Sequence, residues 1–322
     1  MLERDFRYLY RANTTSYYMF GVTILGNNSA LPAYDRHPTA QVVTLDQFQF
    51  LVDCGEGTQM QLARYKIRRS RINHIFISHL HGDHYFGLPG LLTSMGLLGR
   101  DTDLHLFAPP ELEAIIEAML KAADTSLSYT LHFHPLNEEA ILIDDAKFTV
   151  ETFKVYHRIQ CWGFIFREKK KARKINKDAI SPYSLSAASF ELLKMGEDVT
   201  TVKGEVLRNE DLTIANTPAA SYAYCADTLF HHEVAAKAKD VTLMYHETTY
   251  LKGLEERAFA RFHSTTAQAA EIALKANAQN LLIGHFSSKY EQLDPFLEEA
   301  KEIFPNTSLA LEGVTYRILP RP

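Results

Sequence analysis

A chain of 322 residues, 46% of them hydrophobic, is long enough to bury a full core, and its composition excludes a disordered or fibrous protein. No apolar run reaches the roughly 18 residues of a membrane span, and the opening MLERDFRYLYRANTT lacks the apolar stretch and small-residue cleavage site of a secretory signal, so a cytoplasmic protein without a membrane partner is expected. A net charge of −5 argues against indiscriminate nucleic-acid binding, so the placement of the basic residues matters more than their number.

In chain order, the first notable segment is LVDCGEGTQMQL, where Gly55 and Gly57 predict a tight turn carrying the acids Asp53 and Glu56. A plain structural turn and support for a nearby site both fit it. Arg64, Lys66, Arg68, Arg69 and Arg71 follow, a cluster suited either to phosphates or to a subunit contact. HIFIS predicts a buried strand, and His79, His81, Asp83 and His84 come directly after it. PPELEAIIEAMLKAA predicts a helix with Pro110 near its first turn, and KFTVETFKVY a strand ending at His157.

Residues 167–217 then break the pattern: they are polar and charged, and read as an insertion between two strands. From Arg167 through Lys169, Lys170, Lys171, Arg173 and Lys174 to Lys177 there are seven basic residues against one acid, Glu168, a run that by itself indicates a solvated surface. Beyond it SYAYC, VTLMY and NLLIG predict strands, followed by Asp227, by His246 and Glu247, and by His285. TTAQAAEIALKANA predicts a helix that Ser264 or Thr265 can cap, and DPFLEEAKEIF predicts another. Short strands alternating with helices make an α/β fold.

Four ligand-type side chains within six positions point to a metal. Imidazole and carboxylate are groups zinc prefers, and a turn just past a strand aims alternate side chains at one point while Gly82 relaxes the backbone. His157, Asp227 and His285 each follow an apolar run, where strand-end loops converge. Cys54, Cys161 and Cys225 are too scattered for a thiolate site or a disulfide framework.

At these residues the chain resembles the metallo-β-lactamase superfamily and, within it, the ribonuclease Z family of tRNA 3′-processing endonucleases. The likeness runs from about Gly21 onward through GEGTQ, FISHLHGDHYFGLPGLL, HET at His246, HSTT at His263 and IGHFSSKY. It implies an αββα sandwich of two mixed β-sheets flanked by helices over residues 19–322, with residues 1–18 as an extension outside the family pattern. It also implies two zinc ions per subunit. His79, His81, His157 and Asp227 would hold one; Asp83, His84, His285 and the bridging Asp227 would hold the other.

The same resemblance makes Asp83 the general base and places His263 at the scissile phosphate, with His246, Glu247, Asp53 and Glu56 as outer supports. The insertion lies where the family carries a flexible arm, the exosite for tRNA, which turns its basic run toward RNA. Arg36, in PAYDRH, falls in a loop tied to the tRNA 3′ end. Precursor tRNA as substrate and a homodimer complete what the likeness implies. The chain departs from the family in carrying Ala187 and Ala188 where a Gly-Pro turn is common, in keeping only Pro32 and Arg36 of that loop's pattern, and in reading HETT for HEAT. Two other readings stand beside this one: a phosphodiesterase for small esters, and an RNA-binding protein without catalysis.

Overall fold

The computed structural model describes residues 19–321, so the extension expected over 1–18 lies outside the described residues. Two seven-stranded sheets face each other. The first runs, edge to edge, Thr315–Arg317, Phe20–Gly26, Ala40–Leu45, Phe48–Val52, Ile72–Phe76, Leu104–Ala108, Leu131–Pro135. The second runs Thr307–Leu309, Leu281–Gly284, Leu243–Glu247, Ser221–Tyr224, Cys161–Glu168, Phe148–Val155, Ala140–Asp144. Each sheet is antiparallel over half its width and parallel over the other half, which makes both mixed.

Period-two alternation sorts the side chains into layers. Phe50, Val52, Phe76 and Phe107 of the first sheet point inward and meet Phe148, Trp162, Phe164 and Phe166 of the second. Their neighbours Leu51, Ile75, Ile77 and Leu106 point outward, under Leu62, Leu91, Leu92, Leu112 and Ile116 of the helices Thr58–Arg64, Leu88–Leu97 and Glu111–Ala122. On the far side, Ala270 and Ala273 of Thr266–Lys275 and Phe296 of Asp294–Ile303 cover the second sheet. The result is the αββα sandwich.

Local signals act as expected. Thr265, rather than Ser264, caps Thr266–Lys275, its side chain accepting from the backbone of Gln268 while the Gln268 side chain accepts from the Thr265 backbone. Pro110 stands at the cap of Glu111–Ala122, one place ahead of the first turn. Among the described residues no helix is long and apolar enough to cross a membrane.

The insertion starts later than its composition indicated. Arg167 and Glu168 belong to the strand Cys161–Glu168, where Arg167 pairs in register with Thr149 and its guanidinium sits 3.5 Å from Glu151. The insertion leaves the sheet after Glu168 and is closed at its base by Lys174–Ile175 pairing with Thr213–Ile214. Beyond that ladder it builds its own small core of Leu193, Val199, Leu207 and Leu212, separate from the two clusters of the sandwich. Ala187 opens the helix Ala187–Met195, capped by Ser186, so a helix start occupies the place of the family's Gly-Pro turn.

Candidate metal centre

The chemistry-bearing side chains gather where the strands end, beyond their carboxyl ends. His79, His81, Asp83 and His84 follow Ile72–Phe76; His157 follows Phe148–Val155; Asp227 follows Ser221–Tyr224; His285 follows Leu281–Gly284. Ligand atoms of His79, His81, His157 and Asp227 lie within 4.8 Å of one another, as do those of Asp83, His84 and His285. Asp227 reaches both groups: its Oδ2 is 3.7 Å from His79 Nε2 and 3.4 Å from His84 Nε2, and its Oδ1 is 3.3 Å from His285 Nε2.

Hydrogen bonds outside this cluster fix which imidazole nitrogen faces inward. Nδ1 of His79 meets Ser78 Oγ at 3.0 Å, that of His84 meets Asp53 Oδ2 at 2.7 Å, that of His157 meets the Phe262 carbonyl at 2.8 Å, and that of His285 meets Thr249 Oγ1 at 2.9 Å. Each acceptor holds a proton on Nδ1 and leaves the Nε2 lone pair for the cluster. His81 is reversed: its Nδ1 lies 3.0 Å from both His79 Nε2 and His157 Nε2, and its Nε2 lies 3.0 Å from Arg158.

The inward nitrogens of His84 and His285 are buried without a hydrogen-bond partner. Leaving such atoms unsatisfied costs about 1–3 kcal/mol each. Converging lone pairs repel one another, and a divalent cation relieves both penalties. Imidazole nitrogen with carboxylate oxygen is a donor set zinc accepts, so the residues present fit the metals.

Burial alone would push the Asp227 carboxyl up, but His285 and His84 beside it hold it well below the usual carboxylate range. Burial pushes His79 well below an ordinary imidazole. His263 behaves the opposite way: burial would lower it, but Glu247, whose Oε1 is 2.9 Å from His263 Nδ1, lifts it to about 9.

Glu247 is fully buried and saturated. It accepts from the backbone of Thr228, Thr249 and Ser264, from the Thr249 hydroxyl at 2.7 Å, and from His263. Thr249 thereby joins Glu247 to His285, a role the sequence did not single out. Asp53 is the counterpart on the first sheet, accepting from the Ser78 backbone and hydroxyl, from His84 and from Tyr224 Oη at 2.5 Å. A Cβ on Gly55 would stand 2.4 Å from the Asp83 carbonyl, so the glycine turn packs directly on the ligand loop.

Asp53, Ala226, Phe262 and His285 all take positive φ, 45° to 59°. These left-handed residues sit in the site or one position before Asp227 and His263. Backbone strain gathered there is the price of aiming several side chains at one point.

Other expected residues fall elsewhere. His246 is buried in its strand, its Nδ1 2.8 Å from the Glu247 carbonyl and its Nε2 unpartnered, and no hydrogen bond joins it to His263 or to the inward-facing imidazoles. Glu56 is exposed at the rim of a cavity of about 640 Å³ that opens onto Asp83, Asp227, His263 and His285. Arg158, Arg257 and Arg261 line that mouth and were missed, because isolated arginines carry no pattern in a sequence. Arg36, expected at the RNA, makes its hydrogen bonds within the protein. It donates to Asn28 Oδ1 at 3.0 Å and to the carbonyls of Tyr290 and Glu291, pinning its loop beside the mouth.

In the basic run, Lys169 contacts Asp144 at 2.5 Å, Lys171 stands 3.8 Å from Glu168, and Arg173 donates to Thr213 Oγ1 at 2.6 Å. Lys170, Lys174 and Lys177 are exposed.

A family model described as Anti-Pycsar protein Apyc1 matches residues 20–179. Curated relatives include Ribonuclease Z of Bacteroides thetaiotaomicron, 44% identical over 301 residues that cover 93% of this chain and 95% of that protein. Ribonuclease Z of Cytophaga hutchinsonii is 43% identical, covering 94% and 97%. Among solved structures, the short form of human tRNase Z superposes with a TM-score of 0.66 at 24% identity, over 92% of this chain and 98% of that one.

Proposed function

Because the chain belongs to the ribonuclease Z family, we propose that it is a metal-dependent endoribonuclease that hydrolyses the phosphodiester at the 3′ end of precursor tRNA and frees the 3′ trailer. The observation that carries the chemistry is the convergence of seven ligand-type side chains, with the inward nitrogens of His84 and His285 unpartnered, next to a His263 held by Glu247.

We assign His79, His81, His157 and Asp227 to one zinc, and Asp83, His84, His285 and Asp227 to a second. Two such ions, when bound, neutralise growing charge on the phosphate and make water ionisable at neutral pH. Asp83 is the base that orients the attacking water. Its Oδ2 accepts from the Ala30 backbone at 2.7 Å, which holds the carboxylate in place. His263, protonated through Glu247, uses the ring nitrogen that Glu247 does not engage to give a proton to the departing 3′ oxygen. Arg158, Arg257 and Arg261 at the mouth are suited to the flanking phosphates.

The insertion is read as the arm that grips the tRNA, supported by its separate core and by the exposed Lys170, Lys174 and Lys177. On the family likeness, the working enzyme is a cytoplasmic homodimer. Incubating purified protein with a 3′-extended tRNA precursor and with a small activated phosphodiester tests the whole reading. Release of the trailer is the expected result. Turnover of the small ester alone points to a small-substrate phosphodiesterase, and RNA binding without cleavage of either points to a non-catalytic binder; both overturn it.

A further inference from the structure

A second cationic surface lies at the opposite end of the strand that carries the ligand loop. Between Gly57 and Gly82 the chain has no Asp or Glu, yet Arg64, Lys66, Arg68, Arg69 and Arg71 fall within eight positions of a protein whose net charge is −5. Arg64, Lys66, Arg68 and Arg71 are exposed, and among the described residues none of the five forms an ion pair. Arg64 touches an aromatic ring instead, its guanidinium 5.9 Å from the Tyr65 centroid.

The surface is concave. Lys66, Arg68 and Arg69 line a groove of about 550 Å³ with Met95 and Leu98 on its apolar side, and Asp101 is the one carboxylate among its lining residues. Crowded, uncompensated cations along a groove fit a polyanion, whose binding releases counterions. A sugar-phosphate chain also has sugar faces for the apolar side.

Position narrows the ligand further. The strand Ile72–Phe76 spans about 17 Å from the cationic end to the ligand loop, twice the screening length of about 8 Å at physiological salt. The groove's field is therefore largely screened at the scissile phosphate, and the ligand that profits from both places is one long enough to touch both. The helix Thr58–Arg64 starts at the glycine turn beside the mouth and ends in the cationic cluster, giving an acid-free track between them.

We infer that this groove binds backbone phosphates of the same RNA whose 3′ end lies at the metal centre, an inference that rests on the proposed function. The test is Lys66→Gln, Arg68→Gln and Arg69→Gln combined, with Arg68→Lys and Arg69→Lys as the charge-preserving control. The neutral variant is expected to bind precursor tRNA roughly tenfold more weakly at physiological salt, with its salt slope reduced by about one for each phosphate no longer neutralised. The lysine control should stay near wild type. Turnover of a small phosphodiester and of a short oligonucleotide spanning the cleavage site, metal content and circular dichroism should be unchanged.

A neutral variant matching wild type on precursor tRNA would overturn the inference and leave the proposed function standing. So would an equal loss on the short oligonucleotide, or dissociation of an oligomer in sedimentation, which would make the groove a contact between copies of this chain. Failure of wild-type protein to bind or cleave precursor tRNA would remove both, and is visible without any variant.

Discussion

Burial opposes a charge on His263, and Glu247 does most to favour one, with Asp227 and Asp83 adding to it. As a proton donor His263 acts only while protonated, so its contribution is present at neutral pH and lost as pH rises through its pKa. In Glu247→Gln the largest attraction goes and the burial stays, so the alkaline fall of kcat is expected at lower pH than in wild type, read from a pH–rate profile. In His263→Ala the metals and most RNA affinity should persist while turnover drops roughly 100-fold or more; metal analysis beside single-turnover kinetics separates the two. Asp227→Ala is expected to deplete both metal positions and His79→Ala mainly one, as counted by atomic emission on purified protein. The residues expected as ligands were legible because His79 to His84 are dense and because His157, Asp227 and His285 each follow an apolar strand. What orients them was not. Ser78, Thr249 and the Phe262 carbonyl become partners only through the folded geometry, which sequence spacing does not encode, and a left-handed Asp53 or His285 looks like any other residue in a string of letters.

At the scale of elements, the strands and helices were readable because their apolar periods are strong, and the insertion was readable because its composition changes. Its limits and its internal order were less so. Arg167 and Glu168 continue a strand although they are charged, since at the strand's end their side chains reach Glu151 and the Ala220 backbone. Leu193, Val199, Leu207 and Leu212 are too widely spaced to advertise a core. The arm's base offers a clean excision: the Glu168 backbone donates to the Ala220 carbonyl between two antiparallel strands, so replacing 169–219 by Asn-Gly converts the arm, with Lys169 to Lys177, into a short hairpin. This variant is expected to keep hydrolysing a small phosphodiester near the original rate. Its binding to tRNA should be weaker with a flatter salt dependence, measured by filter binding across a salt series.

For the whole molecule, the residues expected as ligands are divided between the sheets, His79, His81, Asp83 and His84 from the first and His157, Asp227 and His285 from the second. Bound metals therefore stabilise the closed sandwich and not only the loops. A ligand at a hundredfold its Kd adds about 2.7 kcal/mol, so a chelator should lower the melting temperature by roughly 5 °C or more, and Asp227→Ala should blunt that response in a thermal scan. The strand Thr315–Arg317 also pairs antiparallel with Phe20–Gly26, Gly21 opposite Arg317, so the described chain returns to where it began. A short linker could join those two strands end to end, and new termini could then be opened at the arm's own hairpin, between Val199–Thr200 and Val206–Leu207, without cutting either large sheet. In such a circular permutant the insertion would carry the new termini while the loops that bring His79 to His84, His157, Asp227 and His285 together stayed uncut.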